Sequence, residues 1–208
     1  MNLEGSHLGC ERGGRTLFSD LSVLLRGGEL LRVAGPNGSG KTSLLRILCG
    51  LLSPTAGAVH WDGTEIRRLR EEYSKQLVYI GHAAAVKDDL TAAENLRIAC
   101  TLAGVSVSPR AIQAALERFE LTDENLHLRR FSQGQRRRAA LARLVLSESL
   151  PLWLLDEPFA ALDAAAARDV EGLIAAHVAR GAAVVYTSHQ EARIDATVSR
   201  VIDLGARA

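Results

Sequence analysis

The stretch "GPNGSGKTS", residues 35–43, constrains this chain more tightly than any other. It fits the pattern G-x-x-x-x-G-K-[ST] and stands between the apolar run "ELLRVAG" (29–35) and a segment of helical spacing, "TSLLRILCGLL" (42–52). The first predicts a buried strand. In the second, Leu44, Leu45 and Leu48 share one side of a helix. A strand that breaks into glycines and then enters a helix is built for phosphate. Gly35, Gly38 and Gly40, with Pro36, Asn37 and Ser39 between them, let backbone N–H groups curl around phosphate oxygens at a helix N-terminus. Lys41 is placed to reach the outer phosphates. The Thr42 hydroxyl is placed to ligate magnesium, with Ser43 closing the loop.

The rest of the chain repeats the same alternation. "GAVHWDG" is a strand running into an Asp62-Gly63 turn, and "QLVYIG" (76–81) is another short strand. From about 83 to 145 the pattern turns helical. Thr91 with Glu94 makes a capping-box signature ahead of "NLRIACTLAG". Ser108-Pro109 starts a helix in which Ile112, Ala115, Leu116 and Phe119 recur at i, i+3, i+4 and i+7. Strands follow at "LWLLDEP" (152–158), "AAVVYTSH" (182–189) and "RVIDLG", with a helix at "AAAARDVEGLIAAHVARG". Interleaved strands and helices imply a largely parallel sheet covered on both faces. One domain over 1–208 is expected, with a helical subdomain inserted at about 83–145.

Composition narrows the function classes. A net charge of +1 gives no global pull toward nucleic acid. Cys10, Cys49 and Cys100 are widely separated and lack CxxC spacing, so they read as small core hydrophobes rather than redox or metal ligands. No signal peptide is expected at the N-terminus, and no run approaches the roughly 18 apolar residues that span a bilayer.

Two strand ends complete the candidate site. Asp156, at the end of "LWLLD", is placed beside the phosphate loop to hold magnesium, and Glu157 clears the strand end to polarise a water. His189, closing "AAVVYTSH", lies where ligands of open α/β sheets collect. A further stretch, "FSQGQRRRAALARL" (131–144), puts Arg136, Arg137 and Arg138 at a helix N-terminus, whose partial charge is already positive. Ser132 is a good N-cap, and Gly134 allows close backbone approach. A nucleic-acid surface would carry a wider basic face with aromatics, yet aromatic content is 4%. A solvated face accounts for Arg136 and Arg143 but not for a cationic first turn. An anion meeting Ser132 and the three arginines is the expectation.

In order along the chain, these motifs resemble the ATP-binding subunits of ABC transporters over essentially the whole length. "GPNGSGKT" resembles Walker A, and "LWLLDEP" resembles Walker B with Glu157 as catalytic glutamate. "AALD" resembles the D-loop with Asp163, and "SHQ" the switch histidine His189. "FSQGQ" resembles the LSGGQ signature: Ser132, Gly134 and Gln135 match, while Phe131 and Gln133 depart. The resemblance implies an ABC-type P-loop NTPase fold with an N-terminal antiparallel β region. It also implies a homodimer on ATP binding, with the signature of one protomer closing over ATP and magnesium held by the other. Ala83 stands where the family carries a glutamine that contacts magnesium, leaving His82 or a water in its place. The adenine-stacking aromatic is absent, and Arg12 lies near its position.

Within the family, the short length, "GH" at 81–82, "LTAAENL", "SQGQRRRAALARL" and "SHQE" resemble the ATP-binding subunits of cytochrome c maturation systems. That implies haem export, integral membrane partner subunits, and a peripheral place on the cytoplasmic side of the inner membrane. No C-x-x-C-H motif or paired histidines provide a direct haem ligand. A transporter for another solute is the nearest alternative. A DNA- or ribosome-directed ATPase would carry a long coiled-coil insertion or a second such domain, and this chain has neither.

Overall fold

The computed structural model describes residues 1–123, 126–189 and 192–205. Strands β1 (Asn2–Arg12) and β2 (Arg15–Arg26) form an antiparallel hairpin around Gly13-Gly14. Along β2, Leu21, Val23 and Leu25 are buried while Ser22, Leu24 and Arg26 face out, the period-two pattern of a one-sided sheet. Next come β3 (Glu29–Ala34), α1 (Lys41–Leu48), β4 (Ala56–Trp61), β5 (Thr64–Glu65), the single turns α2 (Ile66–Leu69) and α3 (Glu71–Ser74), and β6 (Leu77–Ile80). Helices α4 (Ala92–Leu102), α5 (Pro109–Arg118) and α6 (Gln133–Val145) follow, and β7 (Leu152–Leu155), α7 (Ala164–Ala179), β8 (Ala183–Thr187) and β9 (Val198–Asp203) complete the described chain.

The strands form two sheets, an antiparallel one ordered β2-β1-β4-β5 and a five-stranded one ordered β6-β7-β8-β3-β9. Every pairing in the second is parallel, which gives the α/β class with an N-terminal antiparallel region. Each face of the parallel sheet builds its own core. On one face, Leu31, Val33, Leu152, Leu154 and Val185 pack on α1 and the antiparallel sheet. On the other, Trp153, Leu155, Val184 and Tyr186 pack with apolar residues of α4 to α7. Strands buried on both faces read as continuous apolar runs, as "LWLL" and "AVVY" do.

Two expectations change. The helix read at 42–52 ends at Leu48, because Gly50 takes the left-handed conformation (φ +79°) and leaves Leu51 68% exposed. The helical pattern read from about 83 begins at Ala92, with the Thr91–Glu94 capping box in place and residues 83–90 running as a loop.

Candidate active site

The loop at 35–40 joins β3 to α1 at the carboxyl end of the parallel sheet. Gly40 caps α1 at φ +99°, and a Cβ there would lie 3.1 Å from the Phe18 ring and from Leu17, so only glycine fits comfortably. The cap supplies no side-chain acceptor and the first turn has no acidic residue, which leaves its N–H groups to an anion. Lys41 is 7% exposed, and its Nζ donates to the carbonyls of Gly35 (2.8 Å) and Pro36 (3.0 Å). The lysine therefore braces the loop it grows from. Ser39 lies inside the loop, its Oγ buried and unpartnered beside Gly35.

A cleft of about 470 Å³ opens over this loop. Asn37, Gly38, Gly40, Lys41, Thr42 and Ser43 form its floor; Asp156, Glu157 and His189 form one wall; Arg12 and Leu17 stand at the N-terminal side. Gly35, Pro36 and Ser39 shape the loop from behind without lining the cleft. His82 lines it, and Ala83 does not. Ala83 instead faces a second cavity of about 350 Å³, shared with Gln133, Arg136, Arg137 and Ala161, and His82 lines both.

The carboxylates are held by a short polar chain. Asp156 is 1% exposed, and its backbone N–H donates to the Ile80 carbonyl at 2.8 Å. Its Oδ2 accepts from the Thr42 hydroxyl and its Oδ1 from the Thr187 hydroxyl, both at 2.8 Å. Thr187 in turn accepts from the Glu157 N–H at 2.8 Å. Glu157 leaves the strand in the left-handed region (φ +50°), a conformation stabilised by these surroundings rather than by its own preference. Its Oε1 is buried without a hydrogen bond, and His189 Nε2 lies 3.2 Å away, at ion-pair distance but off the hydrogen-bonding direction. Gln190 and Glu191, the tail of "SHQE", lie outside the described residues.

The signature turn faces elsewhere. Ser132 caps α6 in a full capping box: its Oγ accepts from the Gln135 N–H (3.2 Å), and Gln135 Oε1 accepts from the Ser132 N–H (2.9 Å). The spacing S-x-x-Q carries that signal in the sequence. A Cβ on Gly134 would sit 3.1 Å from the Ala161 carbonyl oxygen, so the glycine lets α6 approach the loop after β7. None of Ser132, Gln133, Gly134 and Gln135 lines the 470 Å³ cleft of the same chain.

The three arginines do not wait for an anion; this corrects the expectation. Arg136 pairs with Asp88 at 2.6 Å. Arg138 pairs with Glu120 at 2.7 Å and with Asp163. Arg137 is 4% exposed and donates to the carbonyls of Gly81, Asp156 and Glu157. Arg143 is not on a solvated face either, since it is half-buried with an unpartnered Nε. Asp163 caps α7 by accepting from Ala165 and Ala166 N–H groups, and the Ala166 bond, helped by Arg138, holds its carboxyl below the usual range.

Residues 18–160 match the ABC transporter family. The cytochrome c biogenesis ATP-binding export protein CcmA of Nitrosospira multiformis is 52% identical over 193 residues, 92% of this chain and 93% of that protein. A solved ATP-binding subunit of an ABC transporter superposes with a TM-score of 0.86 at 25% identity, over 99% of this chain and 87% of that one. A dimeric bacterial ABC transporter cassette has a TM-score of 0.83 at 23% identity, over 98% and 95%, and supports the fold alone. Among the described residues, no helix is long and apolar enough to cross a membrane. With a phosphate loop, an exposed signature turn at the start of α6 and a buried Asp156 following one another along the chain, it belongs to the ABC transporter ATP-binding subunits, on the branch of the cytochrome c biogenesis export ATPases.

Proposed function

We propose that this chain hydrolyses ATP as the motor of an exporter serving cytochrome c biogenesis, docked on integral membrane subunits at the cytoplasmic face of the inner membrane, with haem as cargo. The observation that carries the chemistry is the convergence of Lys41, Thr42, Asp156, Glu157 and His189 on one cleft. Lys41 exchanges its loop carbonyls for the outer phosphates, and the α1 N–H groups bind the remaining oxygens. Thr42 and Asp156 form a hard-oxygen pair suited to magnesium, and their 2.8 Å contact puts both donors within reach of one ion. When bound, that ion neutralises charge on the phosphates. Glu157 orients the attacking water and takes its proton, and His189, 3.2 Å from its Oε1, helps to hold that water in place. Arg12 lies on the adenine side, where a guanidinium plane stacks on the base.

The signature turn supports a homodimer. Ser132 and the α6 N-terminus lie outside their own cleft, so they would act on ATP held by the partner copy, with Gln133, Gly134, Gln135 and Asp163 at that contact. ATP closes the pair, hydrolysis reopens it, and the membrane subunits follow. Glu157→Gln should lower turnover by about 100-fold or more while ATP now holds the chain as a dimer on size exclusion. Hydrolysis at the wild-type rate would overturn the role of Glu157. Purification with its membrane subunits tests the cargo: haem absorbance in the complex supports it, and a complex free of haem under haem-replete growth points to another solute.

A further inference from the structure

Arg137 is a buried charged side chain that takes no part in the proposed nucleotide contacts. It sits on α6, one turn from the signature serine, yet points inward and is 4% exposed. Its Nη1 donates to the Gly81 carbonyl at 2.7 Å. Its Nη2 donates to the carbonyls of Asp156 (2.8 Å) and Glu157 (2.7 Å). Among the described residues no carboxylate reaches it at ion-pair distance; the charges of Asp156 and Glu157 act on it from further away. Burying a guanidinium without a direct counter-ion is costly, so the arrangement is an expensive way merely to fill space.

We propose that Arg137 is a positioning residue for hydrolysis: one guanidinium, carried by the signature helix, holds the backbone carbonyls of Gly81, Asp156 and Glu157 and thereby fixes the loops that bear His82 and the two carboxylates. The inference rests on the hydrolytic reading above. The fork geometry of arginine is what the task needs, since two nitrogens reach two separate loops from one stem. Ala83 has no polar side chain with which to tie its loop to the end of β7, and Arg137 supplies such a tie through Gly81. Glu157 is also the residue held at φ +50°, where a nearby bond to its carbonyl matters most. Because α6 starts at the turn proposed to meet the partner's nucleotide, Arg137 carries any displacement of that helix to the strand end where water is activated.

Full-length Arg137→Met, Arg137→Gln and Arg137→Lys test this by steady-state turnover and by equilibrium binding of a fluorescent ATP analogue. The rate per bound nucleotide should fall about 10- to 100-fold in the methionine variant, while KM and the analogue Kd stay within about twofold. Glutamine and lysine, each able to reach one loop but not both, should recover part of the rate. An arginine that served stability alone would lower the unfolding midpoint and leave the rate per bound nucleotide unchanged. A methionine variant within about twofold of wild type by that measure, or one whose KM and Kd rise with kcat intact, overturns the proposal. If the methionine variant does not fold, Arg137→Lys decides: a rate per bound nucleotide lowered about threefold or more with Kd unchanged supports the proposal, and a rate within about twofold of wild type overturns it, since lysine reaches one loop only. Glu157→Gln is assayed alongside: wild-type turnover there removes the hydrolytic reading itself, whereas an inactive glutamine variant beside an unaffected Arg137→Met removes only the positioning role.

Discussion

Thr187 shows how much one hydroxyl can decide. It ends β8, a strand otherwise made of Ala183, Val184, Val185 and Tyr186, and it is completely buried. It donates to Asp156 and accepts from the Glu157 N–H, so it links the two carboxylate-bearing positions. Thr187→Val keeps the volume and removes both bonds, leaving a buried carboxylate oxygen and a backbone N–H unpaired. We expect a loss of about 1–3 kcal/mol in urea unfolding together with a fall in kcat, and recovery of both in Thr187→Ser. A valine variant with wild-type stability and turnover would show that the link is idle. In the sequence, "TSH" draws attention to His189 and away from Thr187. A β-branched residue at a strand end is equally at home as packing, so nothing local marks its hydroxyl.

At the scale of the element, α6 resolves the oddity of three arginines at the positive end of a helix. The macrodipole disfavours them by tenths of a kcal/mol each, and partners far along the chain outweigh that. Asp88 lies 48 residues from Arg136, Glu120 and Asp163 lie 18 and 25 from Arg138, and Gly81 lies 56 from Arg137. No window of helical length contains these partners, which is why the motif alone suggested an anion. The capping box is different, being local and readable. Ser132→Ala removes the acceptor for the Gln135 N–H and should cost about 1 kcal/mol, measured as a lower unfolding midpoint of the nucleotide-free chain. An unchanged midpoint would mean that the contacts of the arginines hold the turn without its cap.

At the scale of the whole molecule, a histidine buried against one of the two cores flanking the parallel sheet makes stability depend on pH. His177 on α7 is fully buried and stacks on Trp153 of β7 with ring centres 3.6 Å apart and planes 9° apart. Burial, reinforced by Arg180, lowers its pKa from 6.5 to about 4. The imidazole is thus neutral in the folded chain, while the unfolded chain protonates it near 6.5. Its contribution is fully present above that pH and is lost progressively as pH falls from 6.5 toward 4, where the folded form also protonates. His177→Phe keeps a stacked ring without a proton to bind, so its urea midpoint should decline less between pH 7 and pH 5 than that of the wild type. Parallel declines would assign the acid sensitivity to other groups.

What could be read directly from the chain is what depends on near neighbours. The phosphate loop needs only glycines at fixed steps, a preceding apolar run and a following helix, and residues 29–48 contain them all. Alternating apolar runs and helical spacing likewise gave the α/β class, and "LWLLDE" put Asp156 and Glu157 at a strand end. Folding alone decided what those residues touch. Thr42 meets Asp156 across 114 residues because β3 and β7 both flank β8, an adjacency that no spacing in the sequence encodes. The same packing turned Arg137 from a cation expected to meet an anion into a buried side chain bonded to three carbonyls. Local backbone preferences act over a few residues, whereas buried charges find their partners only when packing brings distant segments together and excludes water.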